Sequence, residues 1–162
     1  MNDAYLSIGS NIYNRSNNIN KCLDLLQQHK LTIIDTSSIY KTEPHGYKNQ
    51  KYFYNIVVHI KTLADIYKLF NITKEIEMKM GRNIKQPRNY PRIIDIDILT
   101  YSDKIIESKH LTIPHPRLHN RKFVLIPWCE INSEFCIPKY NKSVSILLKN
   151  VKDASKVCKL NI

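Results

Sequence analysis

The stretch Tyr-Phe-Tyr-Asn-Ile-Val-Val-His-Ile-Lys at residues 52–61 decides the fold of this sequence. It is rich in aromatic and β-branched residues, which favour a β-strand because their side chains pack well on a pleated surface. The segment before it, Glu-Pro-His-Gly-Tyr at residues 43–47, contains the Pro and Gly that interrupt regular structure. The pattern predicts a long strand, around which the other elements can be assigned.

The residues on the N-terminal side of this strand alternate between strand and helix patterns. Residues 31–41 are β-branched and predict a strand, and residues 3–8 alternate between apolar and polar side chains as a strand does. Between them, residues 19–26 follow helical spacing, and Ser16 is a plausible N-cap. The Gly-Ser-Asn at residues 9–11 is interpreted as the turn that leads from strand to helix.

The residues on the C-terminal side repeat the alternation. Thr62 is the expected cap of a long helix that stops at Gly81, and residues 93–101 predict a fourth strand. The order is therefore β-α-β-β-α-β, which predicts an α+β fold of the ferredoxin-like type: an antiparallel sheet with helices on one face. A short strand at 105–107 and helices within 117–131 and at 143–150 are expected as additions. We expect residues 1–162 to form a single domain.

Composition narrows the class of protein. The hydrophobic fraction of 43% and charged fraction of 24% are those of a globular chain and exclude general disorder. No apolar run approaches the roughly 18 residues of a membrane span, and the first residues carry no signal-peptide pattern. The four cysteines show no zinc-type spacing and are expected to be free thiols in a reducing compartment. These features predict a cytoplasmic protein that does not bind membranes.

The positive charge is distributed unevenly. The formal net charge is +11, but five of the six arginines fall in two short stretches, residues 82–92 and 117–121. A guanidinium group can bind two phosphate oxygens at once, which a lysine ammonium cannot. Focused arginine therefore favours a specific polyanion site over a general nucleic-acid surface.

Asp95 and Asp97 are the sharpest sign of chemistry. They are two residues apart in an otherwise apolar strand, so both carboxylates should lie on the same sheet face, and the isoleucines between and beside them on the other. Two adjacent like charges repel, and Mg²⁺ would remove that conflict, because carboxylates together with water and phosphate are its usual ligands. The alternative is a solvated polar sheet surface. Arginines next to a metal site are typical of phosphoryl transfer.

The aromatic third strand also contains a possible heterocycle site. Phe53 and Asn55 lie on one face of it, where a ring can stack on a flat heterocycle and an amide can hydrogen-bond to it. Phe123 is a second candidate for stacking. His115 and His119 could bind zinc only with difficulty, because Pro116 disfavours a helix between them and no acidic or cysteine ligand is near.

Several segments together resemble the hydroxymethyl-dihydropterin pyrophosphokinase family of folate biosynthesis. They are Gly-Ser-Asn at 9–11, Arg82, Pro-Arg-Ile-Ile-Asp-Ile-Asp-Ile-Leu at 91–99 and Pro-His-Pro-Arg-Leu-His-Asn-Arg-Lys-Phe-Val-Leu at 114–125. The resemblance runs in register from about residue 4 to residue 140, and the length resembles that of the stand-alone enzyme. It implies a ferredoxin-like fold and transfer of diphosphate from ATP to the hydroxymethyl group of 6-hydroxymethyl-7,8-dihydropterin, with release of AMP.

The resemblance also implies roles for individual residues. Two Mg²⁺ ions would bind Asp95 and Asp97, which with Arg82 and Arg92 form the implied catalytic group. The implied ATP-binding residues are Glu77, Arg82, Arg88, Arg92, Ile98, Thr112, His115 and Arg121. The implied pterin-binding residues are Thr42, Phe53, Asn55 and Phe123.

This sequence departs from the family pattern at four places. Ile84 replaces a loop arginine, Asn89-Tyr90 replaces a Trp-Gly pair, Lys74 replaces a glutamine near the nucleotide, and Pro116 follows the first histidine of its segment. We expect residues 82–92 to form a mobile loop that closes over ATP, with Tyr90 as its aromatic residue.

Two other functions fit part of the pattern. An RNA-recognition module has the same element order, basic charge and aromatic third strand, but the Lys-Tyr-Phe-Tyr at 51–54 lacks the glycine of that motif. A non-catalytic nucleotide-binding regulator is the second alternative. The enzyme interpretation predicts ATP and the pterin as partners of a monomer that does not bind nucleic acid.

Overall fold

The computed structural model describes residues 1–44, 49–83 and 90–161. In these ranges the elements are, in order, β1 (Asn2–Ser10), α1 (Arg15–Gln28), β2 (Thr32–Thr36), β3 (Tyr40–Thr42), β4 (Phe53–Thr62), α2 (Ile66–Lys79), β5 (Asp95–Tyr101), β6 (Ile106–Glu107), β7 (Thr112–Ile113), a 3-10 helix (Leu118–Asn120), α3 (Lys122–Asn132), β8 (Cys136–Ile137), β9 (Lys142–Ser143), α4 (Val144–Asn150) and β10 (Val157–Lys159).

The main sheet is antiparallel and has β4 and β1 at its centre. Its strand order is β10-β3-β4-β1-β5, and β2 also pairs with β4. The long third strand of the sequence prediction is β4, which exchanges hydrogen bonds with β1, β2 and β3. The prediction of a mixed helix-and-strand fold with an antiparallel sheet is confirmed.

Hydrophobic side chains cover both faces of this sheet. On one face, Leu6 and Ile8 of β1 pack in a core with Leu26 of α1 and Ile76 of α2. On the other face, Tyr5 of β1 belongs to a second core with residues of the later helices, Val124 and Trp128 of α3 and Val144 of α4. Because side chains alternate along a strand, β1 contributes to both cores. The helices expected on one face are α1 and α2, and α3 and α4 cover part of the other.

Several local predictions need correction. The predicted strand at 31–41 is two strands, because Ser37 intervenes and bonds through its hydroxyl to the Val57 N–H at 3.0 Å. Helix α1 is capped by Asn14 instead of Ser16, and α2 by Asp65 instead of Thr62, which is the last residue of β4.

Other local predictions are confirmed. Gly81 follows α2 in the left-handed region (φ +92°), which glycine adopts without strain. Ser143 caps α4, and the strand predicted at 105–107 is β6. The helix expected within 117–131 is the 3-10 turn followed by α3. The β8–β9 pair and β10 were not predicted.

Two further expectations bear on the class of protein. Among the described residues, no helix has the length and apolar character needed to cross a membrane. The four cysteines are free, and burial raises the pKa of the Cys22 thiol to about 12. A thiol so protonated is unreactive, as expected for a core residue.

Candidate functional site

Asp95 and Asp97 lie on the same face of β5, as the sequence predicts. In the register with β1, Asp95 pairs with Gly9 and Asp97 with Ser7, while Ile96 between them is buried in the core below. Among the described strands, β5 is at the edge of the main sheet, next to β1. The two carboxylates are 26% and 31% exposed, so they are accessible to a ligand.

Two arginines converge on Asp95. Arg82 donates from Nη1 to Oδ1 at 2.7 Å, and Arg92 donates from Nη1 to Oδ2 at 2.7 Å. Arg82 follows α2, and Arg92 precedes β5. The chain therefore brings both arginines to the carboxylate from opposite ends of the 82–92 segment. Charge-assisted hydrogen bonds of this kind hold the guanidinium groups in place.

Asp97 has a separate pair of cationic partners. Arg121 donates from Nη1 to its Oδ2 at 2.9 Å, and Nε2 of His115 lies 3.7 Å from the same oxygen. Burial alone would raise the pKa of Asp97, but His115 and Arg121 outweigh it and hold the pKa below its ordinary value. Asp97 is therefore ionised at neutral pH.

The backbone around His115 sets its tautomer. Its Nδ1 accepts a hydrogen bond from the Arg117 N–H at 3.1 Å, so in the neutral ring the proton is on Nε2, which faces Asp97. Burial, together with the charges of Arg121 and Arg117, lowers the pKa of His115 despite the attraction of Asp97. A neutral His115 can thus still donate a hydrogen bond into the site.

Glu77 is buried behind the carboxylate pair, where it connects α2 to β5. Its Oε1 accepts the Ile96 N–H at 2.7 Å and also contacts Arg82, and its Oε2 accepts from Lys74 at 2.9 Å. Burial raises the pKa of Glu77, and the two cations offset only part of that effect. It is the internal anchor of Arg82.

Three of the predicted nucleotide residues, Ile98, Thr112 and His115, line one cleft at the edge of β5. Its lining includes Asp97, Ile98, Thr112 and His115, which the sequence predicts, together with Lys74. Lys74 lines this cleft although it departs from the family pattern. Glu77 and Arg121 contact members of this group and complete it.

The predicted pterin residues on strands β3 and β4 also lie together. Asn55 donates from Nδ2 to the Thr42 hydroxyl at 2.7 Å, and both side chains are buried. Phe53 pairs with Thr42 in the register of the two strands. The Gly9 backbone borders this group: a Cβ there would lie 2.6 Å from Asn55 Oδ1 and 3.7 Å from the Phe53 ring.

Phe123 lies in the first turn of α3, two residues after Arg121. The Arg121 guanidinium lies 5.5 Å from the centre of its ring, within the range of a cation–π contact. Phe123 is half-buried and packs against the second core. The same segment therefore places a guanidinium group and an aromatic ring next to each other.

Part of the predicted site lies outside the described residues. Arg88 belongs to the 84–89 segment, as do Ile84 and Asn89 of the predicted loop. Tyr90 is described and is 42% exposed.

The two carboxylates are donors of the type that Mg²⁺ commonly uses. In residues 1–44, 49–83 and 90–161, no cluster of three or more His, Cys, Asp or Glu side chains could enclose a metal. Magnesium commonly takes one or two protein carboxylates and completes its shell with phosphate and water, which fits Asp95 and Asp97. His119 instead accepts or donates a 2.8 Å hydrogen bond with the Tyr140 hydroxyl.

The sequence interpretation missed two features of the 9–11 segment. Gly9 and Ser10 belong to β1 and are not in a turn, and Gly9 borders Asn55. Asn11 is buried and bonds to residues 39 to 81 positions away. Neither contact could be read from local pattern, because the partners are distant in sequence.

This chain is similar to known proteins over most of its length. The sequence model of the 7,8-dihydro-6-hydroxymethylpterin-pyrophosphokinase (HPPK) family matches residues 5–133. A Bacillus subtilis relative is 42% identical over 131 residues, which are 80% of this chain and 78% of the relative. A Haemophilus influenzae relative is 36% identical over 159 residues, 98% of each chain. Both are named 2-amino-4-hydroxy-6-hydroxymethyldihydropteridine pyrophosphokinase.

A solved structure has the same fold. The structure of wild-type Plasmodium falciparum HPPK-DHPS with pteroate matches 92% of this chain with a TM-score of 0.74 at 19% identity. The match spans 42% of that longer chain. The family match over residues 5–133 and the alignments that cover 80% and 98% of this chain show that it belongs to the 7,8-dihydro-6-hydroxymethylpterin-pyrophosphokinase family.

Proposed function

We propose that this chain transfers diphosphate from ATP to the hydroxymethyl oxygen of 6-hydroxymethyl-7,8-dihydropterin, giving the pterin diphosphate and AMP in folate biosynthesis. The observation that carries the proposal is the pair of adjacent carboxylates, Asp95 and Asp97, each held by arginine at the edge of the sheet. The names of the bacterial relatives describe the same activity.

Magnesium is part of the proposal. Asp95 and Asp97 would hold two Mg²⁺ ions with the help of phosphate oxygens and water. The ions would neutralise negative charge on the triphosphate and help to hold donor and acceptor in line.

The arginines are proposed to change partners when ATP arrives. Arg82 and Arg92 form ion pairs with Asp95, and Arg121 forms one with Asp97. A triphosphate offers these guanidinium groups stronger anionic partners and leaves the carboxylates available to metal. The paired guanidinium groups offset the repulsion between the two neighbouring carboxylates.

The remaining nucleotide contacts follow from the same cleft. His115 would donate from Nε2 to a phosphate oxygen, because its other ring nitrogen is occupied. Glu77 would keep Arg82 in position and border the pocket, while Ile98 and Thr112 would contact the base or ribose. Arg88 completes the proposed set from outside the described residues.

The pterin would bind on the other side of the carboxylates. Asn55 and Thr42 already form a buried polar pair, and their remaining hydrogen-bonding capacity suits a heterocycle edge. Phe53 and Phe123 would stack on the two faces of the ring. Gly9 would leave the room that this arrangement needs.

The proposal extends to the whole molecule. The order β5-β1-β4-β3, all antiparallel and with α1 and α2 on one face, supports a ferredoxin-like core in a single domain. One chain supplies the residues of the site, which supports a monomer. Free cysteines and the use of ATP support a cytoplasmic location.

The relatives do not support the RNA-binding alternative. Asp95 and Asp97 also argue against it, since exposed carboxylates repel a phosphodiester backbone.

The test is a product assay by mass spectrometry. Protein, Mg²⁺, ATP and 6-hydroxymethyl-7,8-dihydropterin should yield AMP and the pterin diphosphate in equal amounts. Formation of ADP in place of AMP would show transfer of a single phosphoryl group and contradict the proposal. Absence of any pterin product would leave the nucleotide-binding regulator as the better explanation.

Isosteric variants test the role of the carboxylates. Asp95→Asn and Asp97→Asn should each lower turnover by about 100-fold or more, because each removes a ligand of an ion that would neutralise charge in the transition state. Asp24→Asn is the matched control, because Asp24 is exposed on α1. More than a tenth of wild-type turnover in both site variants would refute the metal assignment.

A further inference from the structure

Asn11 is a fully buried polar residue directly after β1. The turn that carries it is fixed by Asn18 of α1, whose Nδ2 donates to the Ser10 hydroxyl at 3.1 Å and to the Ile12 carbonyl at 3.0 Å. Residues on both sides of Asn11 are therefore tied to the helix, so its side chain projects from a rigid support.

The side chain of Asn11 connects two segments that are far apart in sequence. The side-chain Oδ1 accepts the Arg92 N–H at 2.8 Å. The backbone N–H of Asn11 donates to the Arg92 carbonyl at 3.2 Å. Its Nδ2 donates to Gln50 Oε1 at 2.7 Å and to the Lys51 carbonyl at 3.3 Å. Both ends of the amide are thus used, one toward each segment.

These two segments carry predicted site residues. The backbone of Arg92 is clamped by Asn11 on both its N–H and its carbonyl, and its guanidinium reaches Asp95 at 2.7 Å. Lys51 lies two residues before Phe53, where β4 begins. The contacts with Arg92 link Asn11 to the proposed site more directly than those with Gln50 and Lys51. Arg92 bonds to Asn11 through its backbone and to the Asp95 carboxylate through its side chain.

We propose that Asn11 is a positioning residue for the transfer reaction, acting through Arg92 by holding its backbone where the guanidinium meets Asp95. This inference rests on the proposed function. If Asn11 only filled space or stabilised the turn, its replacement would lower the stability of the protein. The effect of that replacement on turnover would then be the same with and without the Arg92 side chain. Precise support of this kind matters because small displacements of a charged group reduce transition-state stabilisation.

A double-mutant cycle on turnover tests the dependence on Arg92. Asn11→Ala should lower kcat by at least 10-fold, and Arg92→Ala should lower it further. In the Arg92→Ala background, adding Asn11→Ala should change kcat by less than 2-fold, because the group that Asn11 positions is gone. Asn20→Ala is the matched control, since Asn20 is an exposed residue of α1.

Two more variants separate the two arms of the amide. Asn11→Asp keeps an acceptor for the Arg92 N–H and should retain kcat within about 3-fold of wild type. Gln50→Ala removes a partner on the other arm and should also stay within about 3-fold. If Asn11→Ala does not fold, Asn11→Ser takes its place in the cycle, because its shorter hydroxyl does not reach both segments.

Independent effects of Asn11→Ala and Arg92→Ala that multiply in the double variant would overturn the proposal. An Asn11→Asp variant as slow as Asn11→Ala would overturn it as well. Amide hydrogen exchange gives a second readout that needs no activity: the Arg92 amide should lose protection in Asn11→Ala and keep it in Asn11→Asp. If the wild type makes no AMP, the proposed function fails, and exchange at Arg92 still decides whether Asn11 holds this backbone.

Discussion

The side chain of Asn55 leaves no room for a side chain at position 9. A Cβ at Gly9 would lie 2.6 Å from Asn55 Oδ1, closer than non-bonded atoms approach. Asn55 cannot move away freely, because its amide is bonded to the buried Thr42 hydroxyl at 2.7 Å. The smallest residue at position 9 therefore fixes the shape of the proposed pterin site.

Gly9→Ala should weaken pterin binding while nucleotide binding is unchanged. The added methyl group would displace the Asn55 amide, and overpacking of this kind costs on the order of 1–3 kcal/mol. Calorimetric titration of each ligand measures both effects. Equal affinities for the pterin in wild type and variant would show that Asn55 is not a pterin contact.

Phe123→Ala should likewise weaken binding of the pterin more than of ATP. Loss of one stacking face removes about 1 kcal/mol beyond the lost contact area. Phe123 also packs against the second core, so Phe123→Leu serves as the control that keeps bulk and removes the aromatic ring. If Phe123→Leu binds the pterin as tightly as wild type, the ring contributes packing alone.

The sequence predicted single residues well where a strong local rule applied. The period of two along a strand placed Asp95 and Asp97 on one face, and the structure confirms it. Gly9 and Asn11 were misjudged because their importance lies in contacts across 39 to 81 residues. No local pattern encodes which distant backbone a buried amide will meet.

Glu130 connects helix α3 to the edge of the main sheet. It lies on α3 and accepts hydrogen bonds from the Ser38 N–H and hydroxyl, from the Tyr40 hydroxyl and from Lys159 of β10. Partial burial alone would raise the pKa of Glu130, but Lys159 and Ser38 outweigh it, and the pKa lies below its ordinary value of 4.5. One carboxylate thus joins α3, β3 and β10.

Glu130→Gln should lower the free energy of unfolding by on the order of 1–3 kcal/mol at pH 7. Because the folded pKa of Glu130 is lowered, its contribution is complete above pH 4.5. It is lost as the pH falls below that value through the folded pKa. Urea unfolding of wild type and variant at several pH values measures the difference, which should shrink on acidification. Glu75→Gln, at an exposed position of α2, is the control.

Long elements were predicted better than short ones, for a physical reason. Strand β4 and helix α2 are long enough to show a period, whereas β8, β9 and β10 are two or three residues long and show none. The helix caps were misassigned because several polar residues near each start could serve. Tertiary structure decides which of them, Asn14 or Ser16, Asp65 or Thr62, is the last residue with an extended backbone before the helix.

At the scale of the whole molecule, the central strands connect the two cores. Leu6 and Tyr5 are neighbours on β1 but belong to cores on opposite faces, and Val58 and Val57 do the same on β4. Because β1 and β4 contribute residues to both cores, loss of packing in one core would disturb strands that also form the other core. The proposed single domain should therefore unfold as one cooperative unit.

The position of the only tryptophan allows a test of that cooperativity. Trp128 is fully buried in the core that contains residues of α3 and α4, whereas Leu26 of α1 is buried in the core on the opposite face of the sheet. Leu26→Ala should destabilise the protein by about 2–5 kcal/mol through the cavity that it leaves. If the two cores are coupled through the sheet, the unfolding midpoint reported by Trp128 fluorescence should fall by the same amount as the midpoint reported by far-ultraviolet circular dichroism.

Leu63→Ala, at a position 83% exposed, is the control and should move neither midpoint. A Leu26→Ala variant in which the helical signal melts early while Trp128 fluorescence keeps its wild-type midpoint would mean that the two faces of the sheet unfold separately.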